Sequence, residues 1–295
     1  LREAAAAAIR TRPEAVESLF RARVEAGDDQ KLCASLDATL AAMGEAAVET
    51  LTSALADQTW TDEILAEIGT PAVVPVSKEL GSDNAKVRWR ALGVLLRLYA
   101  KGDAAASAVV TKPEMVPLLI EARRQATYGD DRDDAAVQAL AAIGGPAVEP
   151  VKAFVGKDTW AADVLAQMGA PAVPALTALL GSDDRILRFA AADVLVRIEN
   201  SAPESVSELT ADLDEEDLKP IAANYAYYIR LGRAGSEDVL ARALNKYGDK
   251  EMAVDYLNCG NGTLEQAAHT WADKHGYEVY TTPGVATGPQ WGEGE

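Results

Sequence analysis

The sequence predicts an all-α chain built from antiparallel helix pairs, and two observations carry that expectation. First, the chain repeats itself at an offset of one hundred residues. Thr11-Arg12-Pro13-Glu14-Ala15-Val16 returns as Thr111-Lys112-Pro113-Glu114-Met115-Val116, Thr59-Trp60 as Thr159-Trp160, and Gly69-Thr70-Pro71-Ala72-Val73 as Gly169-Ala170-Pro171-Ala172-Val173. An ungapped overlay of 1–100 on 101–200 gives about 36 identities, and self-similarity at a fixed period is the mark of a repeat architecture. Second, apolar residues recur at helical spacing, and no convincing run of alternating residues interrupts them over 1–276.

A shorter period lies inside the long one. Gly44, Gly69, Gly144 and Gly169 recur in pairs about 25 residues apart, a length that suits one antiparallel helix pair. Gly ends a helix in the left-handed region, and Pro one or two residues later opens the next, as at Pro71, Pro146 and Pro171. Over 171–180, Val173, Leu176, Leu179 and Leu180 form one stripe, and Ile186, Leu187, Ala190, Val194, Leu195 and Ile198 do the same over 183–198. Asp83 and Asp183 precede the long helices and are expected to cap them.

After residue 200 the offset is lost. Helices are predicted near 215–232, 236–247, 249–258 and 263–275, with a stop at Gly260 and a capping box of Thr263 and Gln266. Tyr225, Tyr227, Tyr228, Tyr247, Tyr256, Trp271, Tyr277 and Tyr280 gather here, as suits a terminal cap that closes the core. Glu278-Val279-Tyr280 reads as a short extended segment, and the Gly, Pro and Thr run to Glu295 as a flexible tail with Trp291 tucked back. The expected organisation is an array over 1–200 built by tandem duplication, divergent helical repeats and a cap over 201–276, and a tail over 277–295.

At Leu80-Gly81-Ser82-Asp83-Asn84-Ala85-Lys86-Val87-Arg88-Trp89-Arg90-Ala91 and Leu180-Gly181-Ser182-Asp183-Asp184-Arg185-Ile186-Leu187-Arg188-Phe189-Ala190-Ala191 the chain resembles HEAT repeats. The Gly-x-Pro-Ala-Val-x-x-Leu opening at 169–176 is similar to that family as well, and the likeness runs through 11–200 and, loosely, to 276. The resemblance implies a right-handed α-α superhelix, with Asp83 and Arg88, and Asp183 and Arg188, in a polar ladder between repeats. It implies a bacterial origin and, for most such arrays, a binding scaffold without catalysis; bilin lyases with HEAT-like repeats supply the alternative, an enzyme or ligand-carrying accessory protein.

Charge narrows the partner. The chain has 46 acidic against 28 basic residues, a formal net charge of −18, which argues against nucleic acid and against an anionic bilayer. It favours another protein, with a basic surface or segment as the complementary choice. No stretch reaches the apolar length of a membrane span. The copy of 1–10 at 101–110 follows a long helix, so an upstream segment is expected before Leu1, and with it a leader or anchor; cytoplasm and cell envelope both stay open.

No catalytic constellation stands out, and no cofactor is expected. His269 and His275 are six residues apart, a spacing that does not share a helical face, and Cys259 would complete only a weak metal trio. Asp130-Asp131-Arg132-Asp133-Asp134 lacks the central Gly and terminal Glu of a calcium loop and reads as a solvated helix start. Asp212-Leu213-Asp214-Glu215-Glu216-Asp217 reads the same way. Cys33 and Cys259 lie near opposite ends and are expected as free, buried thiols. Candidate protein-binding residues are Trp60, Trp89, Trp160 and Arg90, on the concave face that the second helix of each pair would line; aromatic residues and Arg are the usual anchors of interfaces.

Overall fold

The computed structural model describes residues 12–125, 131–207, 209, 218–279 and 290–292, and among these the chain is all-helical with no strand. It divides into two compact units, Leu1–Ile143 and Gly144–Glu295, a boundary inside the second copy of the repeat. The first unit holds α1 (Val16–Glu25), α2 (Gln30–Ala42), α3 (Glu45–Ser53), α4 (Thr61–Ile68), α5 (Thr70–Lys78), α6 (Ala85–Ala100), α7 (Ala104–Val110), α8 (Val116–Gln125) and α9 (Asp131–Ile143). The second holds α10 (Gly145–Lys152), α11 (Thr159–Met168), α12 (Val173–Leu180), α13 (Arg185–Ser201), α14 (Leu218–Ala223), α15 (Tyr225–Leu231), α16 (Glu237–Tyr247), α17 (Lys250–Leu257) and α18 (Gly262–His275).

The hundred-residue offset is visible in these bounds. α1, α3 and α6 begin one hundred residues before α8, α10 and α13, and the short 3-10 turn Pro13–Ala15 is matched by Pro113–Met115. At the joints Gly69 and Gly169 have φ of 84° and 65°, a region where any Cβ is strained. One chain direction ends there and the next helix opens on Pro71 or Pro171 within its first turn.

Packing in the first unit follows two rows. α1 touches α3, α3 touches α5 and α5 touches α7, while α2 touches α4, α4 touches α6 and α6 touches α9. Sequence neighbours close the gap between rows, as in α1 with α2, α3 with α4, and α5 with α6. The second unit shows the same relation in α10 with α12, α11 with α13, and α12 with α13. Leu, Val and Ala fill the interior, with Leu51, Leu65, Leu95, Val164, Leu195 and Leu176 all at 0% exposure. Each such Leu or Val contributes about 1.5–3 kcal/mol of burial.

The caps are displaced by one or two residues from the expected ones. α6 and α13 are capped by Asn84 and Asp184, whose side chains accept from the N–H groups of Lys86 and Ile186. Asp83 and Asp183 sit one position outside. The capping residue must have an extended backbone, and Asn84 and Asp184 both have ψ of 110°. Likewise Asn261 caps α18 by accepting from Thr263 and Leu264, so the helix begins at Gly262 and no Thr263–Gln266 box forms. The helix expected near 215–232 is two helices broken at Asn224, a residue that favours such non-helical positions. The helix expected before Arg12, Asp130, the cluster Asp212–Asp217 and Tyr280 lie outside the described residues; Tyr277–Val279 carries no helix or strand. No single helix among the described residues is long and apolar enough to cross a membrane.

Candidate functional site

The four residues singled out as interface anchors fall into two groups. Trp160 is 4% exposed and packs against Phe154 at 5.2 Å between ring centroids. Arg90 is 6% exposed: its guanidinium clasps the Asp62 carboxylate at 3.0 and 3.2 Å and donates to the Leu55 carbonyl at 2.7 Å. Both are inside the fold. Trp60 and Trp89 are half-buried. One face of Trp60 carries the Arg23 guanidinium, 4.7 Å from the ring centroid, and Phe20 lies 5.2 Å away. Arg23 in turn holds Asp37 at 2.5 Å.

The arginines expected in a ladder choose other partners. Arg88 donates to the backbone carbonyls of Ser82 and Asp83 at 2.6 and 3.1 Å. Arg188 donates from Nη1 to the Ser182 carbonyl and to Glu251, both at 2.8 Å, and from Nη2 to Asp255 on α17 at 3.3 Å. The acidic start of α9 also does more than solvate: Asp133 is 8% exposed and pairs with Arg123.

A charged cluster that sequence reasoning missed lies in the second unit, where α13, α15 and α17 meet. Asp255 is fully buried on the inner face of α17, beside Met252 and Tyr256. Its carboxylate accepts from Arg185 Nε at 2.5 Å, from Arg188 Nη2 at 3.3 Å and from the Tyr225 hydroxyl at 2.7 Å. Burial works against the Arg188 charge, but Tyr225, Asp255 and Glu251 outweigh it and raise its pKa. Tyr225 is pushed up, first by burial and then by the Asp255 charge. Two signals were present in sequence: an acid on the apolar face of a helix, and Arg185 where the first copy has Ala85.

Above this cluster α17 forms the floor of a surface groove. A depression of about 330 Å³ is lined by Arg185, Arg188, Lys250, Glu251, Val254 and Asp255. An adjoining one of about 250 Å³ shares Lys250 and Val254 and continues to Leu257, Trp271 and Tyr277. Trp271 stacks between His275, at 4.1 Å, and Tyr277, at 5.7 Å, while Lys250 Nζ lies 5.5 Å from the Tyr277 ring centroid. Val254 and Tyr277 are 39% and 44% exposed. Arg185 and Arg188 are paired with Asp255 and Glu251, and Lys250 lies over the Tyr277 ring, so the groove sets charged groups beside apolar and aromatic contact at Val254, Leu257, Trp271 and Tyr277.

His275 Nδ1 contacts the Trp271 carbonyl at 2.7 Å, and Cys259 is fully buried with its thiol on the Tyr256 carbonyl. Among the described residues no group of three or more His, Cys, Asp or Glu side chains is placed to hold a metal ion. Burial raises the Cys259 thiol pKa, and Cys33 is 8% exposed. Both thiols are therefore expected to resist a disulfide reagent in the native chain and to react together on unfolding; fast native labelling of Cys259 would contradict the packing.

Tyr227, whose hydroxyl bonds Glu199, is also pushed up, by burial and then by that contact. For Tyr225 and Tyr227 the folded state keeps its proton above the ordinary value of 10.0 while the unfolded chain loses it. Their stabilising effect is complete below about pH 10 and is lost as pH rises further. Denaturant midpoints are expected to fall between about pH 9 and about pH 11, less steeply in Tyr225→Phe. An unchanged midpoint over that interval would contradict the burial of both hydroxyls.

Comparison with known proteins returns no matching family model and no matching curated protein.

Proposed function

We propose that this chain is a protein-binding scaffold of the HEAT-repeat kind, a right-handed α-α superhelix of antiparallel helix pairs with no catalytic activity of its own. The two-row packing of α1 to α7 and the joints at Gly69 and Gly169 support the array. The observation that carries binding is the groove over α17, where exposed Val254 and Tyr277 adjoin Trp271. Aromatic and apolar side chains beside internally paired charges are the make-up of an interface centre. The partner is another protein. With −18 net charges, the chain draws a basic surface by its long-range field, and the groove supplies the short-range contact.

The test is capture on immobilised protein from an extract of the source cells, with wild type compared with Val254→Glu. Val254 is partly exposed, so this change is expected to leave helicity and thermal unfolding intact while removing one retained protein. Equal retention by both baits would remove the groove from the binding surface. A small molecule that co-purifies and is turned over would replace the scaffold reading with that of an enzyme or ligand carrier.

A further inference from the structure

Two helices of the second unit end side by side under the returning end of the chain. α15 closes at Gly232, which has the left-handed φ of 59° and ψ of 33°, and α17 closes through Asn258, Cys259 and Gly260. The last carbonyls of a helix have no partner within it. Here three carbonyls at and just beyond the two helix ends are taken up by Gln290-Trp291-Gly292. The Trp291 N–H donates to the Cys259 carbonyl at 2.7 Å, the Gly292 N–H to the Ile229 carbonyl at 3.0 Å, and the Gln290 amide nitrogen to the Asn258 carbonyl at 3.2 Å.

The floor of this crossing is cut to backbone width. A Cβ on Gly232 would stand 2.4 Å from Gly292 Cα and 2.6 Å from its nitrogen, and a Cβ on Gly260 would stand 2.5 Å from Gln290 Oε1. The docked segment needs its own glycine, since Gly292 has φ of 75°. Convergent carbonyls select N–H donors and repel anions, and the bare Gly232 admits the backbone of the turn where a larger residue would meet Gly292 itself.

We propose that this crossing is a recognition site for a short peptide turn of the pattern Gln-x-Gly, filled in this chain by its own Gln290-Trp291-Gly292. The inference is independent of whether the groove over α17 binds a partner. Because the ligand is tethered, its effective concentration is on the order of millimolar, so a modest intrinsic affinity keeps the site occupied. The same pattern on another chain is then expected to enter when the tethered copy is disabled.

Two measurements on the full chain test this. Amide hydrogen exchange at Trp291 and Gly292 is expected to be slowed roughly tenfold or more, the factor that two net backbone hydrogen bonds supply. Gly232→Asn is expected to abolish that protection, because the side chain meets the docked segment. Gly276→Asn, at another left-handed helix end (φ 72°) with nothing within 4 Å of its Cβ, is expected to leave it in place. The second measurement disables the tethered copy by Gln290→Ala/Gly292→Val and adds the hexapeptide Gly-Pro-Gln-Trp-Gly-Glu, residues 288–293. Saturable shifts of the Gly232 and Gly260 amide resonances at about millimolar peptide, absent with a peptide carrying Val for the second Gly, are the expected result. Exchange of Trp291 and Gly292 at unstructured rates in the wild-type chain, equal loss in both Asn variants, or equal shifts from both peptides would overturn the proposal.

Discussion

Asp255→Ala is expected to lower unfolding stability by about 3–5 kcal/mol, the cost of removing one partner from a buried ion pair. The carboxylate is fully buried and accepts from Arg185, Arg188 and Tyr225 at once. Its loss leaves the Arg188 guanidinium, whose side chain is only 5% exposed, with the solvent-exposed Glu251 in place of a buried carboxylate, and leaves Tyr225 Oη without its acceptor. Arg185 is 39% exposed, so water screens its share of the loss. Against a net stability of about 5–15 kcal/mol for a folded domain, such a loss is a large fraction. Urea or guanidinium unfolding reads it directly. A second variant, Asp255→Leu/Arg188→Leu, removes both charges and is expected to be less destabilised than the sum of the single changes, because no buried charge is then left alone. A loss under about 1 kcal/mol for Asp255→Ala would place that carboxylate in contact with water.

Arg90→Ala is expected to cost a similar amount for the same reason, and here the chain's own duplication makes it testable. In the first copy Arg90 and Asp62 form a buried, two-point ion pair. In the second copy the positions one hundred residues on are Ala190 and Ala162, and Ala161, Val164 and Leu165 around them are buried without any charge. The second copy thus does without the ion pair, its two alanines being half-buried where Asp62 and Arg90 are buried. Arg90→Ala alone strands Asp62 and is expected to lose about 3–5 kcal/mol. Asp62→Ala/Arg90→Ala rebuilds the arrangement of the second copy and is expected to recover at least half of that loss, the remainder being the space left by the arginine. Additive losses in the double variant would mean that the pair stabilises the unit beyond neutralising itself.

The helices were legible because they bury stripes at helical spacing, and several, such as α4 at Gly69 and α11 at Gly169, end on a glycine that the backbone requires. Caps were less legible. Ser82-Asp83-Asn84 and Ser182-Asp183-Asp184 each offer neighbouring residues of capping type, and the choice falls to the one whose backbone is extended. Side-chain placement was least legible where a helix is packed nearly all round. α6 buries Val87, Arg90, Ala91, Leu92, Val94, Leu95, Leu96 and Leu98, so its periodicity separates no outer face, and Arg90 reads as a surface anchor when it is an interior one. Trp160 is hidden in the same way because Phe154, which covers it, stands where the first copy has Ala54. Trp291 does return to the fold as the sequence led one to expect, but the groove over α17 and the seat of Gln290-Trp291-Gly292 join residues far apart in the chain, and no local pattern announces where such meetings fall.

The reading as a scaffold is tested most directly by quantitative capture from source-cell extract on wild-type and Val254→Glu baits of equal thermal stability. One protein retained in near-stoichiometric amount by the wild type and lost by the variant is the expected result. Retention that is equal on both baits, or no retained protein beside a co-purified small molecule that the chain converts, would contradict it.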